Sequence, residues 1–231
     1  MKLLPIALVL ATGPLAAQSF LFNVNNGFIP DNDPAGLADV RSVSTATTQI
    51  LSLEVRVNIA GVGSGAYNGD LYLTLLHGSG FGVLLNRPGV TVLDPFGSPD
   101  NGFQVTFAST GTLGDIHNYR SILGTSEDTV LDPVTGRWEP DGRLVDPSLV
   151  LDSSPRTASL GSFVGLDPNG SWTLFAADLG SGGLARLDSW ELLITPQTTP
   201  VPEPEEMAMI GGIGLVALAV WRRRAKAAGQ S

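Results

Sequence analysis

The sequence predicts an all-β protein, an antiparallel β-sandwich, on three observations. Apolar residues alternate with polar ones in several short runs, 28 glycines and 16 prolines punctuate the chain, and no long segment keeps a helical period. In "QILSLEVRVNI" Leu51, Leu53, Val55, Val57 and Ile59 face one way and Ser52, Glu54, Arg56 and Asn58 the other, because successive side chains of a strand point to opposite faces. "DLYLTLL" repeats the pattern with Leu71, Leu73 and Leu75, and "GFQVTFAS" with Phe103, Val105 and Phe107. "SWTLFAAD" (Ser171–Asp178) and "DSWELLIT" (Asp188–Thr195) are apolar at nearly every position, as strands covered on both sides would be. The glycine-rich "LGSGGLARL" between them is expected to close a hairpin. Asp115 to Pro155 reads as a loop-rich excursion inserted into the sandwich.

The two ends carry a different signal. Met1-Lys2, the apolar Leu3–Leu10 and small residues at Ala16-Ala17 read as a secretory signal peptide, residues 1–17, cut after Ala17. Export permits disulfides but does not require them; the chain has no cysteine, so the core must hold the domain unaided. Between residues 18 and 206 eight arginines face 22 acidic residues, a formal charge of −14. Such a surface repels phosphate backbones, which argues against nucleic acid as a partner. Acidic loops of this kind suit polycations or Ca²⁺, and also plain solubility.

Residues 196–206 form a proline-rich spacer. Met207–Trp221 follows as an apolar run of 15 residues, roughly 22 Å as a helix against a bilayer core of about 30 Å. It is a marginal membrane span, and the basic segment 222–231 behind it is expected to stay in the cytoplasm. Pro202-Glu203-Pro204, then an apolar helix, then Arg222-Arg223-Arg224 in that order resembles a PEP-CTERM sorting signal. The resemblance implies export in a Gram-negative bacterium and recognition by an exosortase, a membrane-embedded cysteine transpeptidase that cuts near the Pro-Glu-Pro. It also implies a brief inner-membrane tether, then release to the cell surface or extracellular polymer matrix.

A second resemblance lies within the strands. Gly69-Asp70-Leu71, Gly170-Ser171-Trp172-Thr173-Leu174, Asp178, Gly183-Leu184 and Trp190 are similar in order to the P domain of proprotein convertases. That family implies a jelly-roll sandwich over residues 18–195, of a kind that stabilises a subtilisin-like protease domain. The chain departs from the pattern in two respects. These 231 residues hold no such protease domain ahead of the strands, and His77-Gly78-Ser79-Gly80-Phe81 stands where the family has a Ser-Pro-x-Gly-Thr turn.

Chemistry has few candidates. His77 ends a strand and His117 lies in "GDIHNYR"; neither has recognisable partners, and no Gly-x-Ser-x-Gly elbow accompanies them. They lack the spacing of a zincin, and cysteine catalysis has no cysteine. No catalytic residue and no cofactor is expected, apart from a structural calcium among Asp31, Asn32, Asp33, Asp70, Asp115 and Asp178, without an EF-hand pattern. The bland reading of those acids is turn capping, and for Asp70 and Asp178 hydrogen bonding to a neighbouring loop. Trp138, with Tyr119 near it in sequence, would either stack on sugar rings, which suits an extracellular polysaccharide, or pin a long loop onto the sandwich. Trp172 and Trp190 belong to strands and are expected in the core, so Trp138→Ala should cost well under half as much as their loss. The leading expectation is a non-catalytic exported sandwich. Its alternatives are an accessory module of a separate subtilisin-like protease and a carbohydrate-binding or adhesive module.

Overall fold

The computed structural model describes residues 16–197, except Glu127. The sorting residues Pro202, Glu203, Pro204, Arg222, Arg223 and Arg224, the segment 207–221 and all but two residues of the expected signal peptide lie outside them. Ala16–Gln197 forms one compact unit.

Among the described residues ten strands run in chain order: β1 (Gln18–Asn23), β2 (Phe28–Ile29), β3 (Asp33–Val43), β4 (Ile50–Gly61), β5 (Leu71–His77), β6 (Gly80–Asn86), β7 (Phe103–Phe107), β8 (Val134–Trp138), β9 (Gly170–Asp178) and β10 (Ala185–Pro196). They form two sheets. One has the order β1-β10-β4-β7-β8, with β2 also on β10; the other has the order β3-β9-β5-β6. A helix of five residues, α1 (Tyr119–Leu123), and short 3₁₀ turns fill the connections. The core lies between the sheets, where Leu53, Val55, Val57, Ile59, Phe103, Val105, Phe107, Trp190 and Leu192 meet Leu71, Leu73, Leu75, Trp172 and Leu174. Those buried positions are the ones the alternation marked in β4, β5 and β7, with one exception.

Leu51 is 52% exposed and Ile50 fully buried, the reverse of strict alternation. Ser52 pairs with Thr195 but Ile50 with Pro196, so Leu51 is the extra residue of a β-bulge and the strand's two-residue period slips there. The last two strands also differ from expectation. β9 and β10 bury one face well and leave the other half covered. They belong to different sheets, so Leu179–Leu184 is a crossover and not a hairpin. Its amides bond outward, Leu179 N to Asp70 O (2.9 Å) and Leu184 N to Gly65 O (2.9 Å), which stitches it to the β4–β5 connection at the same end of the sandwich. The tight hairpin is β5–β6, where His77 pairs with Gly80 and Gly78 takes a positive φ of 55°.

The excursion from Asp115 to Pro155 is structural. Its strand β8 pairs with β7 in parallel, whereas every other strand pair among the described residues is antiparallel. Beyond β8 the chain crosses to the other sheet, where Asp141 N bonds Leu84 O (3.0 Å) and Gly142 N bonds Val83 O (2.9 Å) alongside β6. The segment therefore closes one side of the sandwich. Trp138 and Tyr119 are each 0% exposed. An aromatic platform for sugars at Trp138 is thereby overturned: its indole N–H donates to Thr135 O (2.9 Å) and its ring meets Tyr119 edge-on at 6.4 Å.

Candidate functional site

Both histidines have partners, contrary to the reading of the sequence. His77 stacks on Trp172, centroids 4.0 Å apart and 3° from parallel, with Nδ1 2.8 Å from Ser171 O and Nε2 2.7 Å from Asp167 O. His117 is fully buried, with Nδ1 2.7 Å from Asp141 Oδ2 and Nε2 3.0 Å from Val90 O. A cavity of about 390 Å³ beside His117 is also lined by Ser98 and Ser121, which resembles the raw material of a hydrolytic triad. The geometry points elsewhere, because His117 Nε2 is already engaged by a main-chain carbonyl. The Asp141 carboxylate takes the Nδ1 side and accepts in addition from Asn86 N, Arg143 N and the Arg143 guanidinium. Arg143 extends the group to Asp115 (2.8 Å). This is a buried structural network tying the excursion to β6.

Asp115 is thus separated from the other acids. It caps the turn Ile116–Asn118 through the His117 amide and pairs with Arg143. Asp31, Asp70 and Asp178 do come together, at the β9–β10 crossover. Asp31 Oδ1 accepts from Gly182 N (3.1 Å) and Asp178 Oδ1 from Gly180 N (3.3 Å). A side chain on Gly180 would start 2.2 Å from the Asp70 carboxyl carbon, so only glycine lets the crossover lie this close. Asp33 pairs with Asp178 across the sheet and bonds its own turn at Ala35 N. Of the loop-bonding role anticipated for Asp70 and Asp178, Asp178 shows a bond to the loop that follows its own strand, whereas the Asp70 carboxylate meets Arg87 at 3.8 Å. Among the described residues no group of three or more histidine, cysteine or acidic side chains is arranged to hold a metal ion.

Asp178 is the electrostatically unusual member. It is 1% exposed and its Oδ2 is buried without a partner. Desolvation, and after it the charges of Asp70 and Asp31, push its pKa up to about 6, against the partial opposition of the Gly180 hydrogen bond. Asp70 is raised as well, by desolvation chiefly and by Asp31, with Arg87 opposing. A carboxyl whose folded pKa exceeds its unfolded value penalises the fold once it ionises. That penalty is absent below about pH 4, grows between about 4 and 6 and is complete above. Asp178→Asn is therefore expected to gain stability relative to wild type as the pH rises from 4 to 7. Urea midpoints of both proteins across that range check it; a difference independent of pH would show that Asp178 is not the buried acid described here.

Of these acids Asp70 borders a cavity of about 470 Å³, lined also by Gly65, Tyr67, Phe96, Gly182 and Gly183 among others. Nothing in the sequence singled out Tyr67 or Phe96, because neither falls in an alternating run. A smaller groove of about 210 Å³ runs over the outer face of the larger sheet, past Arg56, Asn58, Gln104 and Glu191. There the ion pair Arg56–Glu191 (2.8 Å) spans neighbouring strands on a polar surface.

No family model matches the chain, and no curated protein matches it. Among solved structures it is similar to the serine protease of Aeromonas sobria, at 16% identity and a TM-score of 0.43, over 81% of this chain and 28% of that one. It is also similar to a chain in the complex of that protease with its chaperone, at 12% identity and a TM-score of 0.41, over 82% of this chain and 28% of that one. The chain spans less than a third of the length of either.

Proposed function

We propose that the protein is an exported, non-catalytic binding module whose sandwich, of jelly-roll type, is sorted to the cell surface or extracellular matrix by its C-terminal tail. The observation that carries this reading is the order of the tail: Pro202-Glu203-Pro204, a marginal apolar span from Met207 to Trp221, then Arg222-Arg223-Arg224. A permanent anchor would need about 20 apolar residues, whereas a transient one awaiting an exosortase does not. The two histidines support the non-catalytic part, since each ring is engaged on both nitrogens in a packed interior. Strand β1 starts at Gln18, directly after the expected signal-peptidase cut. The mature surface protein is expected to lack Met207–Ser231. Intact-mass measurement of surface-extracted protein tests this, and a mass that includes Ser231 would sink processing.

A further inference from the structure

The end of the sandwich that holds the acidic crossover also carries three large apolar side chains in the open. Val92, Leu93 and Phe96 are 77%, 94% and 70% exposed, all within five residues of one connection. Isolated exposed apolar residues are ordinary, but a contiguous group marks a contact surface. This group is also rigidly presented. The Thr91 hydroxyl accepts from Leu93 N (3.2 Å) and Asp94 N (3.0 Å), and Asp94 Oδ1 accepts from Phe96 N (3.2 Å) and Gly97 N (3.1 Å). Tyr67 then donates to Gly97 O (3.1 Å) and Ser98 N to Pro88 O (2.9 Å), which fixes the base of the loop to the sandwich. A loop ordered in advance loses little conformational freedom on binding, so the exposed side chains are set up as anchors.

Behind Phe96 lies the 470 Å³ cavity with Asp70 in its wall. Asp31, Asp70 and Asp178 bring three carboxyls to this place, and Arg87 approaches Asp70 only to 3.8 Å. Its guanidinium is spent on main-chain carbonyls, Gly69 O (3.1 Å) and Pro95 O (3.2 Å). The buried Asp178 Oδ2 has no donor at all. The cluster is therefore short of positive charge and of hydrogen-bond donors.

We propose that this end of the sandwich is a docking face for a polypeptide that inserts a lysine or arginine beside Asp70 while apolar neighbours of that residue pack on Val92, Leu93 and Phe96. Charge complementarity selects the occupant. With a formal charge of −14 between residues 18 and 206, an anionic lipid surface is repelled and a basic peptide is attracted. Topology agrees. Strand β10 leaves the sandwich at Pro196, paired with Ile50, whereas Ala185, paired with Gly61, adjoins the docking end roughly 36 Å away. The docking end is thus the one opposite Pro196 along β10. The proposal rests on the sandwich being a binding module and is independent of whether the tail is cleaved.

Calorimetric titration of the exported protein with a synthetic peptide bearing Leu-Arg-Leu between serine-glycine arms tests it. The result expected is saturable binding that weakens in 0.5 M salt and falls by about tenfold or more with Asp70→Asn or with Leu93→Ser. Peptides with glutamate for the arginine, or serines for the leucines, are expected not to bind. Leu93 is almost fully exposed, so the Leu93→Ser protein keeps its urea midpoint and reports on binding alone. Absence of binding, or binding equally strong in both variants, would overturn the proposal. Partition into zwitterionic or anionic vesicles that is lost in Leu93→Ser would overturn it in favour of a lipid surface. Neither outcome bears on the mass of the mature chain, so the sorting reading stands or falls separately.

Discussion

Trp138→Ala is expected to destabilise the protein by about 3–5 kcal/mol, as much as Trp172→Ala or Trp190→Ala, the range for truncating a buried aromatic. All three rings are essentially inaccessible, at 0%, 0% and 1% exposure. Trp138 closes β8, whose parallel pairing with β7 sets Phe107 opposite it, and its carbonyl accepts from Ala108 N (2.9 Å). Removing the ring would leave a void against Tyr119 and an unpaired Thr135 carbonyl. The result expected of urea denaturation is three midpoints shifted by similar amounts at an unchanged slope. A loss at Trp138 below half of the other two would restore the excursion to a peripheral loop and detach β8 from the cooperative unit.

The reason that tryptophan was misjudged from sequence lies in its strand. "VTGRW" has apolar residues only at its ends and a glycine at its centre, so it shows no usable alternation. Gly136 has a φ of 114°, a conformation that side chains rarely adopt. By contrast, β4, β5 and β7 were legible because one face of each is packed and the other is not, which writes period two into the sequence. Their limit was the bulge at Leu51, set by the partner strand and invisible in β4 alone. The glycines of Leu179–Leu184 announced a turn correctly, yet composition does not say whether a turn joins neighbours in one sheet or two sheets. Of the candidate acids, those at strand ends, Asp31, Asp70 and Asp178, converge because β3, β9 and β5 are adjacent. Asp115 goes elsewhere, drawn to Arg143 by a contact 28 residues away along the chain that no local pattern encodes.

That contact belongs to the group whose disruption should match the loss of a tryptophan. Asp141→Ala is expected to destabilise the protein by about 3–5 kcal/mol, the scale for removing one partner of a buried ion pair. Asp141 is 0% exposed and accepts from His117, Asn86 N and Arg143, while Arg143, 2% exposed, also bonds Asp115, Leu151 O (3.1 Å) and Asp152 O (2.6 Å). Burial by itself would lower the Arg143 pKa, but the hydrogen bonds and charges of Asp115 and Asp141 reverse that and raise it. Without Asp141 the guanidinium keeps one carboxylate, and the His117 ring faces a void on its Nδ1 side. Arg143→Met is expected to be comparably damaging, because it takes a donor from two carboxylates and three carbonyls. The double variant should lose clearly less than the sum of the two, since one change has already removed what the other would break. Urea denaturation of the two single variants and the double one measures the coupling. Additive losses would mean that the two side chains act independently, and a cost for Asp141→Ala near that of a surface substitution would mean that water reaches the network.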